Sequence, residues 1–313
     1  MRYCIRNGHV LNPATGLNQI ANVIIEDSIV TDVVAASVTI GNFDKIIDAS
    51  GMYVAPGLID MHVHFRFPGF SYKEDIESGA KSAAAGGFTT VAQMPNTSPV
   101  VDNNETLKII NREIAEKSPL EILTFGAITK NQEGKELNDF STLKNEPTGG
   151  ICGLSEDGKS VMDSALMMEA LEKAKMGGLF ISSHCEDKSL FVGGALNDGE
   201  VSKALGIKGI PTATEDIITI RDIILAQYTG CHLHLCHVST KNAVEFIRWA
   251  KEKNVNITAE TCPHYFTFTD KNVIINGRAD TGFKMNPPLR SEEDRCAIEK
   301  AVIDGTIDAI VTD

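Results

Sequence analysis

The stretch MHVHFRFPG, Met61–Gly69, decides how the rest of the chain is read. Two histidines stand two residues apart, Arg66 follows two later, and Pro68-Gly69 closes the segment. In a strand, positions i, i+2 and i+4 share one face, whereas on a helix i and i+2 diverge. The preceding run MYVAPGLID is apolar enough for a buried strand, and the Pro-Gly pair marks its exit. His62, His64 and Arg66 are therefore expected together at the C-terminal end of a buried strand. Two neutral imidazoles there can grip one metal ion, and an arginine beside them can hold an anion. The bland alternative is an accident of composition, and the other strand ends decide against it.

Residues 1–54 read as short β-rich runs such as YCIRNGHVLN and NVIIEDSIVTDVV, separated by Asn, Gly and Asp turns. They suggest a small β domain, a layer or half-sandwich. From Ala55 onward, short apolar strands alternate with helical patterns. Strands are expected in APGLIDMHVHF, FTTVAQMPN, EILTFGAIT, GGICGLSED, GLFISSHCE, HLHLCHVS, NITAETCPHY and DAIVTD. Helices are expected in KEDIESGAKSAAAGG, NNETLKIINREIAEK, SALMMEALEKAKMGG, ATEDIITIRDIILAQY and KNAVEFIRWAKEKN, with Gly86-Gly87 and Gly177-Gly178 at C-caps. Strands and helices alternating over about 250 residues match a (β/α)8 TIM-type barrel in size and order. The fold class is thus α/β: a barrel over 55–313 with a small N-terminal β-sandwich portion.

Active sites of such barrels lie at the C-terminal ends of the strands. Those ends carry His62, His64 and Arg66, then Asn96, Asp157, His184, His237 and Asp313. Each has a plainer reading. Asp157 could cap the turn before Gly158, His184 could be a core histidine, and Asn96 could be a turn former. Glu156 has the opposite parity to Asp157 and is expected to face solvent. In HLHLCHVST, His237 is nearest the rim, because the Ser239/Thr240 helix-start signal follows it. His232 and His234 lie earlier and read as packing or supporting residues, as does His264 in TCPHYF. Asn286, in the rigid loop KMNPPLR, could point at a substrate or merely start the turn. So many metal-ligand types at one rim argue for a single metal site.

Composition sets the outer bounds. Hydrophobic content of 42% and charged content of 23% are those of an ordinary globular protein. A net charge of -13 argues against nucleic acid as a partner. An anionic substrate must then be held locally, by arginine or metal. The seven cysteines are scattered without a CxxC pair, so neither a disulfide framework nor a structural zinc knuckle is suggested, and a reduced, cytoplasmic protein fits best. No signal peptide or membrane-spanning stretch is apparent.

The blocks GLIDMHVHFRFPGFSYKEDIESGAKSAAAGGFTTVAQMPNTSPV, HCED, CHVST, ETCPHY, KMNPPLR and IVTD resemble the bacterial class I dihydroorotases of the amidohydrolase superfamily. HxH is shared across that superfamily; the long first block with NPPLR is more specific. The resemblance implies reversible cyclisation of N-carbamoyl-L-aspartate to L-dihydroorotate in pyrimidine biosynthesis, with two zinc ions per chain. On this sequence His62 and His64 would bind one zinc and His184 and His237 the other. Asp157 would bridge them, since GGICGLSED has no lysine before its end and Lys159 lies beyond the turn. Asp313 would be both a ligand and the proton shuttle, and Arg66, Asn96 and Asn286 would hold the substrate. A homodimer is implied, and a complex with aspartate transcarbamoylase is compatible with it. Two departures stand out. Phe67 occupies a position that is usually acidic or polar, and relatives continue beyond Asp313, so a C-terminal part of the fold is expected outside this sequence. Rival readings are another cyclic amidase (allantoinase, dihydropyrimidinase or hydantoinase) and a non-catalytic dihydroorotase-like subunit of aspartate transcarbamoylase.

Overall fold

Alternating apolar residues in the first segment build a sheet. In the computed structural model, which describes residues 1–38 and 41–313, the chain divides into two compact units, Met1–Leu58 and Ile59–Asp313. The first unit is one five-stranded sheet. Strand Arg2–Asn12 pairs antiparallel with Leu17–Glu26, which pairs antiparallel with Ile29–Ala35. Lys45–Asp48 and Tyr53–Val54 both pair parallel to Arg2–Asn12. Val10, Ala21 and Val23 form its small core. Gly8 lets the chain approach closely, since a Cβ there would lie 2.4 Å from Val54 Cγ2.

In the second unit all eight expected strands are present, as Leu58–Val63, Phe88–Gln93, Glu121–Thr124 with Gly126–Ala127, Leu154–Ser155, Ile181–Ser183, Leu233–Leu235, Ile257–Thr261 and Ala309–Ile310. They do not form one closed ladder. The first two pair with Glu121–Thr124 in a three-stranded sheet, and the rest form a six-stranded sheet from Gly126–Ala127 to Ala309–Ile310. The third strand passes between the sheets at Phe125, whose N–H donates to Gln93 O, while the next N–H, of Gly126, donates to Gly153 O. At the other seam the Asp313 N–H donates to His62 O over 3.0 Å. The expected closed (β/α)8 ladder is thus only partly formed. The strands are short because polar residues at their ends turn toward one another instead of extending the pairing; His237, at φ 34, is one of them.

Parity explains which side chains meet. Leu233 and Leu235 point outward, as do Ile181, Ile257 and Ala259, and they join one buried cluster with Met167, Leu171, Ile218, Val244, Ile247 and Ile298 from the helices. Each such side chain contributes roughly 1.5–3 kcal/mol. Their alternates, Ser182, His234, Thr258 and Glu260, are turned inward, Thr258 partly buried and the others buried. The apolar shell offsets the cost of that polar interior. Helix starts follow the expected signals. Asp75, Asn103, Asp163, Thr240 and Ser291 each accept a backbone N–H in the first turn of Ile76–Ala85, Asn104–Lys117, Ser164–Met176, Lys241–Glu252 and Glu292–Ile303, about 1 kcal/mol apiece. Within the first of these helices Gly79 leaves room for Phe65, beside His64. A Cβ there would sit 2.5 Å from the ring. The strand expected through ETCPHY ends at Thr261, because Pro263 starts a short helix, Pro263–Thr267, that carries His264.

Candidate metal centre

The strand ends converge on Asp157. Its Oδ1 lies 3.3 Å from His184 Nδ1, 3.4 Å from His62 Nε2 and 3.7 Å from His237 Nε2. Its Oδ2 lies 3.4 Å from His64 Nε2. Asp313 Oδ1 approaches His64 Nε2 at 2.9 Å and His62 Nε2 at 3.4 Å. His184 Nδ1 and His237 Nε2 are 2.8 Å apart. All six side chains expected as metal ligands are therefore within one cluster, almost entirely buried except for Asp313.

The outward ring nitrogens are held by acceptors. His62 Nδ1 faces Glu260 Oε1 at 2.6 Å, His64 Nδ1 faces Asn96 Oδ1 at 3.1 Å, and His184 Nε2 faces Glu186 Oε2 at 3.0 Å. A carboxylate or amide oxygen can only accept, so each of these three nitrogens carries the hydrogen. The lone pairs of His62 and His64 at Nε2, and of His184 at Nδ1, then point at the shared centre. Such orienting partners are typical of metal-ligating imidazoles. Moreover, His62 Nε2 and Asp157 Oδ1 are buried without a hydrogen-bond partner, which is costly unless something else satisfies them. A divalent cation fits both observations.

Charge balance points the same way. Burial by itself favours neutral imidazole, but Glu260, Asp157 and Asp313 outweigh it and hold His62 well above the usual range. Burial likewise opposes charge on His184, yet Asp157 and Glu186 raise it to about 10. Asp157 is held well below the usual carboxylate range against its burial, through His62, His184 and His237. Glu260 is likewise lowered to about 2 by His62 and His234, again against burial. No lysine or arginine pairs with these carboxylates among the described residues. Within ion-pair distance these carboxylates meet only imidazoles among the described residues, and a metal would compete with protons for the same lone pairs.

The cluster opens into a cavity of about 530 Å³, lined also by Arg66, Asn96, His264, Met285 and Asn286. Arg66 sits at positive φ, 49°, just before the cis Phe67-Pro68 bond. Its guanidinium joins none of the arginine ion pairs among the described residues. Phe67 packs against the apolar clusters on either side instead of joining a polar network. Asn96 is engaged at both ends, donating to Asp157 Oδ2 at 3.1 Å and accepting from His64. Asn286 is exposed and accepts from Lys284 Nζ at 2.8 Å. A larger hollow of about 690 Å³ beside Phe140 and Met176 gathers no comparable ligand set.

One expectation changes. Glu156 is buried, not solvent-facing, because it accepts the Thr129 N–H at 3.0 Å and bonds the Thr129 hydroxyl. Parity fails where the two-residue strand Leu154–Ser155 has already ended. Lys159 donates to Gln132 O at 2.9 Å, and no lysine lines the cavity.

Sequence reasoning also overlooked the supporting carboxylates. Glu186 stands two residues after His184. Asp60, two before His62, accepts from the Thr312 hydroxyl at 2.7 Å beside Asp313. Glu260 has the inward parity of its strand. The signal in each case is an acid at i±2 from a ligand or at an inward position. Arg290 of NPPLR is buried, bonding Ser239 Oγ, Asn197 Oδ1 and Ile210 O. With Tyr265 Oη donating to Pro287 O at 2.7 Å, it fixes the loop that carries Asn286.

Comparison with known proteins places this geometry. The family described as Dihydro-orotase-like matches residues 51–243. The chain is 46% identical over 309 residues to the dihydroorotase of Acetivibrio thermocellus, covering 99% of this chain and 71% of that one. It is 46% identical over 313 residues to the dihydroorotase of Geobacter metallireducens, covering 100% and 72%. Among solved structures, the L-hydantoinase (dihydropyrimidinase) of Arthrobacter aurescens superposes with a TM-score of 0.81 at 20% identity, over 99% of this chain and 68% of the other. The dihydropyrimidinase of Brevibacillus agri gives 0.83 at 24%, over 100% and 68%. Those likenesses concern the fold alone. With 46% identity along essentially all of this chain and a cluster of candidate metal ligands at its strand ends, the chain belongs to the dihydroorotase-like family.

Proposed function

We propose that this chain is a dihydroorotase that interconverts N-carbamoyl-L-aspartate and L-dihydroorotate. The observation that carries the reading is one cavity with His64, Asp157, His184, His237 and Asp313 at its base, His62 buried against them, and on its wall the Arg66 guanidinium, without an ion-pair partner among the described residues. We assign two zinc ions to the cluster: His62, His64 and Asp313 at one, His184 and His237 at the other, and Asp157 between them. The central position of Asp157 supports that assignment: its Oδ1 lies within 3.7 Å of His62, His184 and His237, and its Oδ2 lies 3.4 Å from His64. Bound there, zinc lowers the pKa of water to about 7 and polarises a carbonyl. We also read the eight strands as a (β/α)8 barrel, supported by the backbone hydrogen bonds of Phe125 and Gly126 at one seam and of Asp313 at the other.

The remaining chemistry belongs to the chain's own groups. In the hydrolytic direction a water oxygen bonds to the ring amide carbon, the carbon–nitrogen bond breaks, and nitrogen gains a proton. Asp313, beside His64 at the cavity mouth, takes the proton from water and delivers it to nitrogen. In ring closure the same carboxylate runs the transfer backward. Arg66 suits the substrate carboxylate, because a planar fork makes paired, charge-assisted hydrogen bonds. Asn286 adds a polar contact from the opposite loop, while Asn96 aligns His64 and Asp157. The resemblance extends the reading to a cytoplasmic homodimer able to associate with aspartate transcarbamoylase. Among the described residues no helix is long and apolar enough to cross a membrane.

Dihydropyrimidinase and hydantoinase act on rings that need no carboxylate clamp, which leaves Arg66 nothing to hold, whereas allantoinase is told apart by its substrate. A turnover panel of the zinc-loaded protein with dihydroorotate, dihydrouracil, hydantoin and allantoin separates them. Dihydroorotate is expected to be the preferred substrate. Preference for any of the other three overturns the assignment, and no turnover of any points to the non-catalytic alternative.

A further inference from the structure

We propose that a hydrogen-bonded column behind His62, formed by Glu260, His234, Thr258 and His232, sets the metal affinity of the His62 position from the side opposite the substrate cavity. The inference rests on the metal-centre reading above and extends it beyond Glu260 to three residues which that reading does not use, His234, Thr258 and His232. From the metal side, Glu260 Oε1 meets His62 Nδ1 at 2.6 Å and Glu260 Oε2 meets His234 Nε2 at 2.9 Å. His234 Nδ1 then meets Thr258 Oγ1 at 2.8 Å, and that oxygen meets His232 Nε2 at 2.9 Å. His62 and Glu260 are fully buried and His234 nearly so, whereas His232 is half-buried.

The direction of the column follows from the strands. Leu233–Leu235 and Ile257–Thr261 run parallel with His234 opposite Thr258, near their N-terminal ends. His232 precedes its strand, and Glu260 lies two residues beyond Thr258 on the same face. His62 lies in the C-terminal half of Leu58–Val63. The column therefore runs from the N-terminal ends of the strands to the metal cluster at their C-terminal ends.

Donor and acceptor roles fix each link through the next. Glu260 is acceptor-only, so His62 Nδ1 and His234 Nε2 both carry hydrogen. With its hydrogen on Nε2, His234 presents the Nδ1 lone pair to the Thr258 hydroxyl, which donates to it. That leaves the Thr258 oxygen free to accept from His232. Held at both oxygens, Glu260 keeps the His62 lone pair on Nε2, aimed at Asp157 and Asp313. Loss of an outer partner of this kind typically costs about 10–100-fold in metal affinity. Glu260, His234 and Thr258 are positioning residues.

The test uses zinc alone as probe. Zinc affinity is measured by competition with a chromophoric chelator, at a temperature where melting curves show every variant folded. Glu260→Gln places an amide N–H against one of two hydrogens, forcing a tautomer change in His62 or His234, and should weaken zinc binding about 10–100-fold. Thr258→Val, nearly isosteric and two links from the metal cluster, should weaken it in the same direction by a smaller factor. A purely structural role lowers the melting temperature and leaves the affinity of the folded protein unchanged, and that result overturns the proposal. Should Glu260→Gln fail to fold, Thr258→Val decides: wild-type zinc affinity there refutes the column. A wild-type chain that binds no zinc overturns the metal-centre reading together with this one. Wild-type binding with unaltered variants overturns this one alone.

Discussion

Asp313→Asn is expected to lower turnover of dihydroorotate by about 100- to 10,000-fold, the usual contribution of a general acid–base group, while zinc stays bound. The carboxylate must accept a proton from water and return it to nitrogen, and an amide of the same shape can do neither. Its placement suits the task. Its backbone N–H is tied to His62 O and its Oδ1 lies 2.9 Å from His64 Nε2. His62 and His64 hold it below the usual carboxylate range, although burial acts the other way. It is therefore ionised at neutral pH. Near-normal turnover in the variant refutes the shuttle role. Loss of zinc on mutation shows that Asp313 matters chiefly as a ligand.

Arg66→Met should leave fold and zinc content intact and cost roughly 2–5 kcal/mol in recognition of dihydroorotate, the penalty for stranding a desolvated charge. At about 1.4 kcal/mol per decade this is on the order of 30- to several-thousand-fold in kcat/KM. Dihydrouracil lacks the carboxylate and gains nothing from Arg66, so its kcat/KM should hardly move. The discrimination between the two substrates is the readout, because a general disturbance of the cavity lowers both. Unchanged discrimination places the carboxylate clamp elsewhere.

Much of this was legible before any coordinates. Period-two alternation in MHVHFR put His62, His64 and Arg66 on one face, and the order of strands and helices brought Asp157, His184, His237 and Asp313 to the same rim. Helix starts were readable because capping is local: Asp75, Asn103 and Thr240 act within three residues of themselves. What failed was whatever depended on where a strand stops. Glu156 was turned outward by extending parity past Ser155, where the pairing had ended. His264 was placed on a strand that Pro263 converts to a helix. The link between the two sheets depends on a hydrogen bond between residues as distant as His62 and Asp313, which no local pattern encodes. Glu260 and Arg290 escaped notice for a related reason. Each is a charged residue whose partners come from other strands or loops, so only the assembled fold shows why burial is tolerated. Glu260 contacts His62 at a separation of 198 residues.

The central claim is that two metal ions share the Asp157 carboxylate. Anomalous scattering from crystals of the zinc-loaded protein, collected on both sides of the zinc edge, tests it most directly. Two peaks are expected, one beside His62, His64 and Asp313 and one beside His184 and His237, with Asp157 between them. A carboxylated lysine between the peaks, or Asp157 distant from both, would contradict the account.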